Sequence, residues 1–145
     1  MTSGDQQWFV DTGVLVHVLR GSALGRYVLD DLQLRAVAEV PYVSVVTVGE
    51  LLSLASQFGW GAKRRAQMYE VLAELIVVDI NQEATLERYA ELDAWCVKRG
   101  WSLGKNDLWI AASAAVTGAM ILTVDKDFDA LEGVGGVRRL YLDPG

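Results

Sequence analysis

Short apolar runs alternate along the chain with longer segments in which apolar residues recur every three or four positions. The short runs predict β-strands, and the longer segments predict amphipathic helices. The predicted strands cover residues 8–10, 42–46, 76–78, 120–124 and 138–142. The predicted helices cover residues 12–19, 22–39, 47–58, 62–75, 82–98 and 107–117. Such alternation is typical of a three-layer α/β/α domain with a mostly parallel, about five-stranded sheet.

Several boundaries rest on single residues. Thr47 is predicted to cap the third helix, which would place Glu50 in its first turn. A loop from Gly100 to Asn106 is predicted to lead into the sixth helix, with Asp107 at the N-terminus of that helix. The chain contains no repeat, low-complexity segment or interdomain linker, so we expect a single domain over residues 1–145.

Composition narrows the possible classes of protein. Thirteen basic and 19 acidic residues give a net charge of −6, which disfavours non-specific coating of nucleic acid. Hydrophobic residues make up 52% of the chain, enough to bury a core. Since the chain has one cysteine and one histidine, a zinc site of the Cys/His type cannot form, and oxygen atoms would have to hold any metal.

Neither a membrane span nor an export signal is visible in the sequence. The uncharged stretch at residues 110–124 is too short to cross a bilayer. A secretory signal requires a basic region before its apolar segment, and no basic residue precedes the first apolar run. We therefore expect a cytoplasmic protein without a membrane partner.

Four acidic residues are predicted to meet at one edge of the sheet. Asp11 and Asp125 follow strands, whereas Glu50 and Asp107 begin helices. In a parallel α/β sheet these positions lie together, at the edge where ligands bind. Each acid alone is explained by capping or by a turn. Four adjacent carboxylates, however, repel one another unless a cation neutralises them, so the sequence predicts a metal site.

Oxygen ligands of this kind suit Mg²⁺ or Mn²⁺. Such ions make a bound water more acidic, and two of them roughly 4 Å apart can hold the attacking and leaving oxygens of a phosphodiester. A single ion in a shared acid cluster also activates water, so no histidine or nucleophilic side chain is needed. The reaction class indicated is metal-assisted phosphodiester hydrolysis.

The residues around these acids form recognisable motifs. The four segments are Phe9-Val10-Asp11-Thr12, Val48-Gly49-Glu50-Leu51, Asn106-Asp107-Leu108-Trp109-Ile110-Ala111-Ala112 and Leu122-Thr123-Val124-Asp125-Lys126-Asp127-Phe128. Together they resemble the PIN-domain ribonucleases, above all the VapC-like toxins of type II toxin–antitoxin pairs. The resemblance covers essentially the whole chain, and the last two segments are its most specific part.

This resemblance implies a Mg²⁺-dependent endoribonuclease, with Mn²⁺ as a possible substitute, acting on tRNA, rRNA or mRNA. Its acids carry over to Asp11, Glu50, Asp107 and Asp125 as catalytic and metal-binding residues. Asp127 would be a further ligand, a water contact or a turn residue. The resemblance also implies a homodimer, and a cognate antitoxin whose C-terminal segment covers or enters the acidic site.

Three polar residues would support the acids in such a site. By the same resemblance Thr12, Asn106 and Thr123 would orient carboxylates or waters through hydrogen bonds. Helix capping and turn formation explain Thr12 and Asn106 equally well.

Two groups of basic residues are candidates for RNA contacts. Residues 63–65 form the densest basic cluster and follow Trp60, although a solvated helix face explains them as well. Arg99 and Lys105 lie close in sequence to Asp107 and would hold a substrate backbone beside the metal.

Replacement of Arg99 and Lys105 by Ala is therefore expected to weaken RNA binding and to reduce its dependence on salt concentration. Titration of labelled RNA at several salt concentrations measures both quantities. Unchanged affinity would exclude both residues from the RNA interface.

Three other classes of protein are alternatives to this reading. A non-catalytic receiver-type module would share the layers and the acidic edge, but it ordinarily needs an early pair of acids, which this chain lacks. An Asp-x-Asp phosphatase is disfavoured because Gly13 occupies the place of the second acid. A domain that only binds RNA or an antitoxin is the third reading, and a metal titration would distinguish it.

Overall fold

A computed structural model of the chain describes residues 6–31 and 39–145. Its strands are β1 (Trp8–Val10), β2 (Tyr42–Ser44), β3 (Ile76–Val78), β4 (Met120–Thr123) and β5 (Arg139–Tyr141). Its α-helices are α1 (Thr12–Arg20), α2 (Ala23–Asp30), α3 (Val45–Gln57), α4 (Ala62–Ala73), α5 (Glu83–Lys98) and α6 (Lys105–Thr117). A 3-10 helix, Lys126–Leu131, lies between β4 and β5.

All strand pairs in the described sheet are parallel, and the strand order is β3-β2-β1-β4-β5. The central strand β1 sends alternate side chains to opposite faces. Phe9 packs in one hydrophobic cluster with residues of α5 and α6. Trp8 and Val10 pack in a second cluster with residues of α1, α2, α3 and α4. Helices therefore cover both faces of the sheet, which confirms the predicted three-layer α/β/α architecture.

The start of α3 differs from the prediction. The second strand ends at Ser44, whose Oγ accepts a hydrogen bond from the backbone N of Val46 at 3.0 Å and caps the helix. The helix begins at Val45, so Thr47 does not cap it, and Glu50 lies in the second turn instead of the first. A short side-chain cap thus ends the apolar strand two residues earlier than its hydrophobicity indicates.

Two other helices also differ from the predicted ranges. Helix α6 begins at Lys105 with Gly104 as its N-cap, so Asn106 lies in the helix and not in a loop. Helix α2 ends at Asp30, well before the predicted residue 39, and the predicted positions 32–38 lie outside the described residues. The remaining boundaries shift by one or two residues. No helix in the described ranges is long and apolar enough to cross a membrane.

The packing of α2 on α1 requires a glycine. An added Cβ at Gly25 would lie 2.2 Å from the backbone O and 2.6 Å from the carbonyl C of His17. Because these are backbone atoms, a side chain cannot be accommodated by a rotamer change. By contrast, a Cβ at Gly49 in α3 would meet no atom within 4 Å.

We expect Gly25→Ala to lower the free energy of unfolding by about 1–3 kcal/mol, the usual cost of overpacking. Gly49→Ala should raise it by about 0.5–1 kcal/mol, since alanine favours a helix interior over glycine. Urea denaturation followed by circular dichroism measures both changes. Equal stabilities for the two variants would contradict the close approach of α2 to α1.

Candidate active site

A cavity of about 560 Å³ opens where β1 and β4 end. The four acids predicted from the sequence, Asp11, Glu50, Asp107 and Asp125, all line it. The structure therefore brings together side chains that are dispersed over more than a hundred positions of the chain.

Asp11 is held on three sides. Its backbone N donates to the carbonyl O of Leu122 at 3.0 Å, which continues the β1–β4 pairing. Its Oδ1 accepts a hydrogen bond from the backbone N of Thr12 at 2.8 Å and caps α1. Its Oδ2 accepts a hydrogen bond from Thr123 Oγ1 at 2.8 Å. With only 4% of its surface exposed, this carboxylate is buried and fixed in orientation.

Thr123 also positions Asp125. The Thr123 Oγ1 accepts a hydrogen bond from the backbone N of Asp125 at 2.9 Å. The Oδ1 of Asp125 in turn accepts a hydrogen bond from the backbone N of Asp127 at 2.8 Å and caps the 3-10 helix. This tight turn directs two successive acids, Asp125 and Asp127, out of the same strand end.

A short chain of hydroxyls fixes Glu50. Thr12 Oγ1 donates to Glu50 Oε1 at 2.8 Å and lies 2.9 Å from Thr47 Oγ1. Because the single proton of Thr12 goes to the carboxylate, Thr47 is the donor of the second bond. Thr47 is fully buried and was not predicted to have a role here. The first turns of α1 and α3 are thus joined through side chains beneath the acid.

Asp107 lies in the first turn of α6, close to the acids that follow β4. Asp107, Asp125 and Asp127 each offer a carboxylate oxygen, and the three oxygens lie within 4.8 Å of one another. Asp127 therefore belongs to this group, and its backbone N also donates the hydrogen bond to Asp125 that forms the turn. Its sequence position alone did not distinguish a metal ligand from an ordinary turn acid.

Burial, together with the crowding of like charges, raises the pKa of two acids. Burial raises the pKa of Asp11 to about 6, in spite of the hydrogen bonds from Thr123 and Thr12 that oppose the shift. Burial also raises the pKa of Asp107 to about 7, and the neighbouring carboxylates of Asp11, Asp125, Asp127 and Glu50 add to it. The charges that act most strongly on Asp107 are thus all negative.

This arrangement fits a divalent cation. Closely spaced carboxylate oxygens with mutual repulsion are the donor set that Mg²⁺ and Mn²⁺ bind. The side chains are also held by hydrogen bonds from behind, as is usual for metal ligands.

Other residues predicted to contribute lie elsewhere. Asn106 is exposed, lines a neighbouring cavity with Glu50, and forms no side-chain hydrogen bond with another described residue. Lys105 Nζ pairs with Asp93 Oδ1 at 3.0 Å. Arg99 Nη1 donates to the carbonyl O of Trp95 at 3.1 Å, and its guanidinium lies 3.9 Å from the centre of the Trp95 ring. Neither cation lines the acidic cavity, so their expected contact with RNA has no support from the fold.

The cavity contains other residues that sequence reasoning missed. They are Arg20 at the end of α1, Phe58 just after α3, and Lys126 between two of the acids. His17 also lines the cavity, and its Nδ1 lies 2.8 Å from Ser22 Oγ. For Lys126 alone a signal existed, since it stands next to Asp125 in the sequence.

The molecule is thus an α/β domain with an all-parallel sheet. Its acidic cleft lies where the central strands of that sheet end. Residues 8–134 match the PIN domain, and the chain belongs to this family. The resemblance seen in the sequence is thereby confirmed.

Individual relatives agree with this assignment. The chain is 29% identical over 128 residues to Ribonuclease VapC5 of Mycobacterium tuberculosis strain ATCC 25618 / H37Rv, covering 88% of this chain and 90% of that protein. The fold also matches the crystal structure of VapBC-5 from Mycobacterium tuberculosis, a member of the VapBC family of toxin-antitoxin systems. The TM-score is 0.68 at 26% identity, and the match covers 94% of this chain and 98% of that chain.

A third match concerns the fold alone. VapBC2 from Rickettsia felis, crystallised with a DNA fragment from its promoter, has a TM-score of 0.81 at 20% identity and covers 95% of this chain and 100% of that chain.

The raised pKa values predict how the metal-free protein responds to pH. The folded state keeps protons on Asp11 and Asp107 at pH values where an ordinary aspartate, with a pKa of 3.8, has lost them. Stability in EDTA should therefore fall as the pH rises from about 4 to about 7. Asp107→Asn should raise the free energy of unfolding at pH 8 and flatten this dependence.

Urea denaturation at pH 5, 6.5 and 8 in EDTA is the measurement. Asp143→Asn is the matched control, because it removes one negative charge from an exposed residue outside the cavity. If Asp107→Asn destabilises the protein at pH 8, or behaves as Asp143→Asn does, the carboxylates do not repel one another as described.

Proposed function

We propose that the protein is a Mg²⁺-dependent endoribonuclease and the toxin of a toxin–antitoxin pair. The observation that carries this proposal is the convergence of Asp11, Glu50, Asp107 and Asp125 on one cavity in a PIN domain. The relation to a protein named Ribonuclease VapC5 supports RNA as the substrate.

The metal would be held by carboxylate oxygens at the end of β4 and the start of α6. Asp107, Asp125 and Asp127 supply the most closely spaced oxygens. Asp11 and Glu50 complete the acidic wall of the cavity. A divalent cation bound here supplies an acidic water for attack on phosphorus and positive charge for the phosphate oxygens.

The chain's own contribution is to hold these groups in place. Thr123 fixes Asp11 and the backbone of Asp125, while Thr12 fixes Glu50. We assign both threonines as positioning residues. In the reaction the oxygen of water would form a bond to phosphorus, the bond from phosphorus to one ribose oxygen would break, and the released oxygen would take up the proton that the water loses. No nucleophilic side chain is required, because the attacking oxygen is that of water.

We also propose a cognate antitoxin and a homodimer as partners. The antitoxin is supported by the similarity to VapBC-5, which belongs to a toxin-antitoxin family. The homodimer rests on the family resemblance alone, and sedimentation of the purified protein would test it.

The receiver-type alternative finds less support in the fold. It would need an acceptor aspartate at the end of the third strand, and Asp79 occupies that position after the edge strand β3. Asp79 does not line the cavity that contains the other acids. A domain that only binds RNA or antitoxin would have the same acids. Experiments on metal binding and cleavage must therefore distinguish it from a ribonuclease.

Incubation with a mixture of tRNA, rRNA fragments and mRNA should give defined cuts with Mg²⁺ or Mn²⁺. Both EDTA and Asp11→Asn should abolish the cuts, whereas Asp143→Asn should retain them. We expect at least a hundredfold loss for Asp11→Asn, because an acid of the site is removed while asparagine can still cap α1. Intact RNA with the wild-type protein, or cuts that survive both treatments, would contradict the proposal.

Metal binding is tested separately by thermal unfolding with and without Mg²⁺ or Mn²⁺. Saturation at about a hundred times the dissociation constant should stabilise the wild-type protein by about 2.7 kcal/mol. Asp125→Asn should abolish most of this effect, and Asp143→Asn should not. No stabilisation of the wild-type protein at millimolar metal would favour the binding-only reading.

A further inference from the structure

The acidic cavity also contains basic and aromatic side chains. Arg20 is exposed at the last position of α1, and Lys126 is exposed beside Asp125. Phe58 follows α3 directly and has 59% of its surface exposed. All three line the same cavity as the carboxylates.

Arg20 and Phe58 lie away from the acids along two neighbouring helices. Helix α1 begins just after Asp11, and Glu50 lies in the second turn of α3. At a rise of 1.5 Å per residue, Arg20 lies about 12 Å beyond Thr12, and Phe58 about 12 Å beyond Glu50. They would therefore contact a part of the substrate that is separate from the phosphate at the metal.

Arg20 is available for a ligand. Its guanidinium forms no hydrogen bond or ion pair with any other residue in ranges 6–31 and 39–145. It remains without such a partner although the cavity is rich in carboxylates, because these lie at the other end of α1. A planar guanidinium in this position is suited to a phosphate, with which it can form two parallel hydrogen bonds.

Phe58 offers a second kind of contact. A single exposed aromatic residue is ordinary on a protein surface. Here, however, the ring lines a cavity together with Leu54, Val16 and Arg20, an arginine that has no polar partner among the described residues. Bases of single-stranded nucleic acid stack on such rings whatever their identity, while basic side chains follow the backbone. A base-paired nucleotide cannot offer its face in this way.

We propose that Phe58 and Arg20 form a binding site for an unpaired nucleotide of the RNA, in which Phe58 stacks on the base and Arg20 binds a phosphate of the same segment. Lys126 binds the backbone nearer to the acids. This proposal rests on the proposed ribonuclease function and assigns the residues that would hold the RNA at a distance from the acids. It also explains how a chain of net charge −6 retains a polyanion beside a cluster of carboxylates.

Binding is measured in an Asp11→Asn background, which prevents cleavage, by the fluorescence anisotropy of labelled single-stranded oligoribonucleotides of mixed sequence. Phe58→Ala should weaken binding about tenfold, the usual effect of losing one stacked base. Phe58→Trp should retain the affinity. Arg20→Gln should weaken binding and reduce the slope of log affinity against log salt by about 0.7, as expected for one phosphate contact to a single strand.

Two matched controls lie outside the cavity. Tyr69→Ala removes an aromatic residue on α4 that is 53% exposed. Lys98→Gln removes one positive charge from the last turn of α5. Both should bind RNA as the background protein does. A base-paired duplex should bind more weakly than the single strand, and Phe58→Ala should not change its affinity.

Unchanged affinity and salt slope in Phe58→Ala and Arg20→Gln would overturn the proposal. The part of the cavity around Phe58 and Arg20 would then be better explained as a contact for a protein partner. A duplex that binds as tightly as the single strand would overturn the stacking contact. Cleavage by the wild-type protein is measured independently of these binding assays. A missing cleavage activity therefore counts against the proposed function, whereas unchanged binding counts against the nucleotide site.

Discussion

The hydrogen bond from Thr123 to Asp11 joins residues 112 positions apart, and the acidic site depends on it. The bond forms because β1 and β4 pair in parallel, with Val10 opposite Leu122. Since the same buried hydroxyl also accepts from the backbone of Asp125, one side chain orients the acids that follow both strands. The positions of these acids are thus fixed by the pairing of β1 with β4 at the centre of the sheet.

Gathering carboxylates in this way opposes folding, and the hydrophobic layers on both sides of the sheet must offset it. Two clusters of buried apolar residues pack against the faces of the strands that carry the acids. The burial that stabilises those strands also removes water from Asp11 and makes its negative charge less favourable. Stability of the metal-free fold and affinity for a cation would therefore be opposed at this site, because the repulsion that weakens the fold would strengthen the binding of a cation.

The fold and the main acids could be predicted from the sequence because they depend on regular patterns. Strand and helix periodicity defined the layers, and the parallel sheet then placed Asp11 and Asp125 at one edge. The start of α3 could not be predicted in the same way, since the apolar run after Tyr42 is compatible with either a strand or a helix. Only the side-chain cap of Ser44 decides between them.

The directions of long side chains near the site could not be predicted from the sequence either. Lys105 and Arg99 are close to Asp107 in sequence, but they turn toward Asp93 and Trp95. Arg20 reaches the cavity because α1 and α3 lie side by side, a relation that no local pattern encodes. The direction of a flexible cation depends on tertiary packing, whereas that of an acid next to a strand depends on the backbone.

The strand order has a consequence for the synthesis of the protein. Strand β1 is synthesised more than a hundred residues before β4, the strand with which it pairs through Trp8 and Met120. Pairing over such a separation is slow, because the chain loses the entropy of loop closure before the contacts between the strands stabilise it. The acidic edge is therefore incomplete in every nascent chain that ends before β4, and the four acids can meet only after that strand has been synthesised.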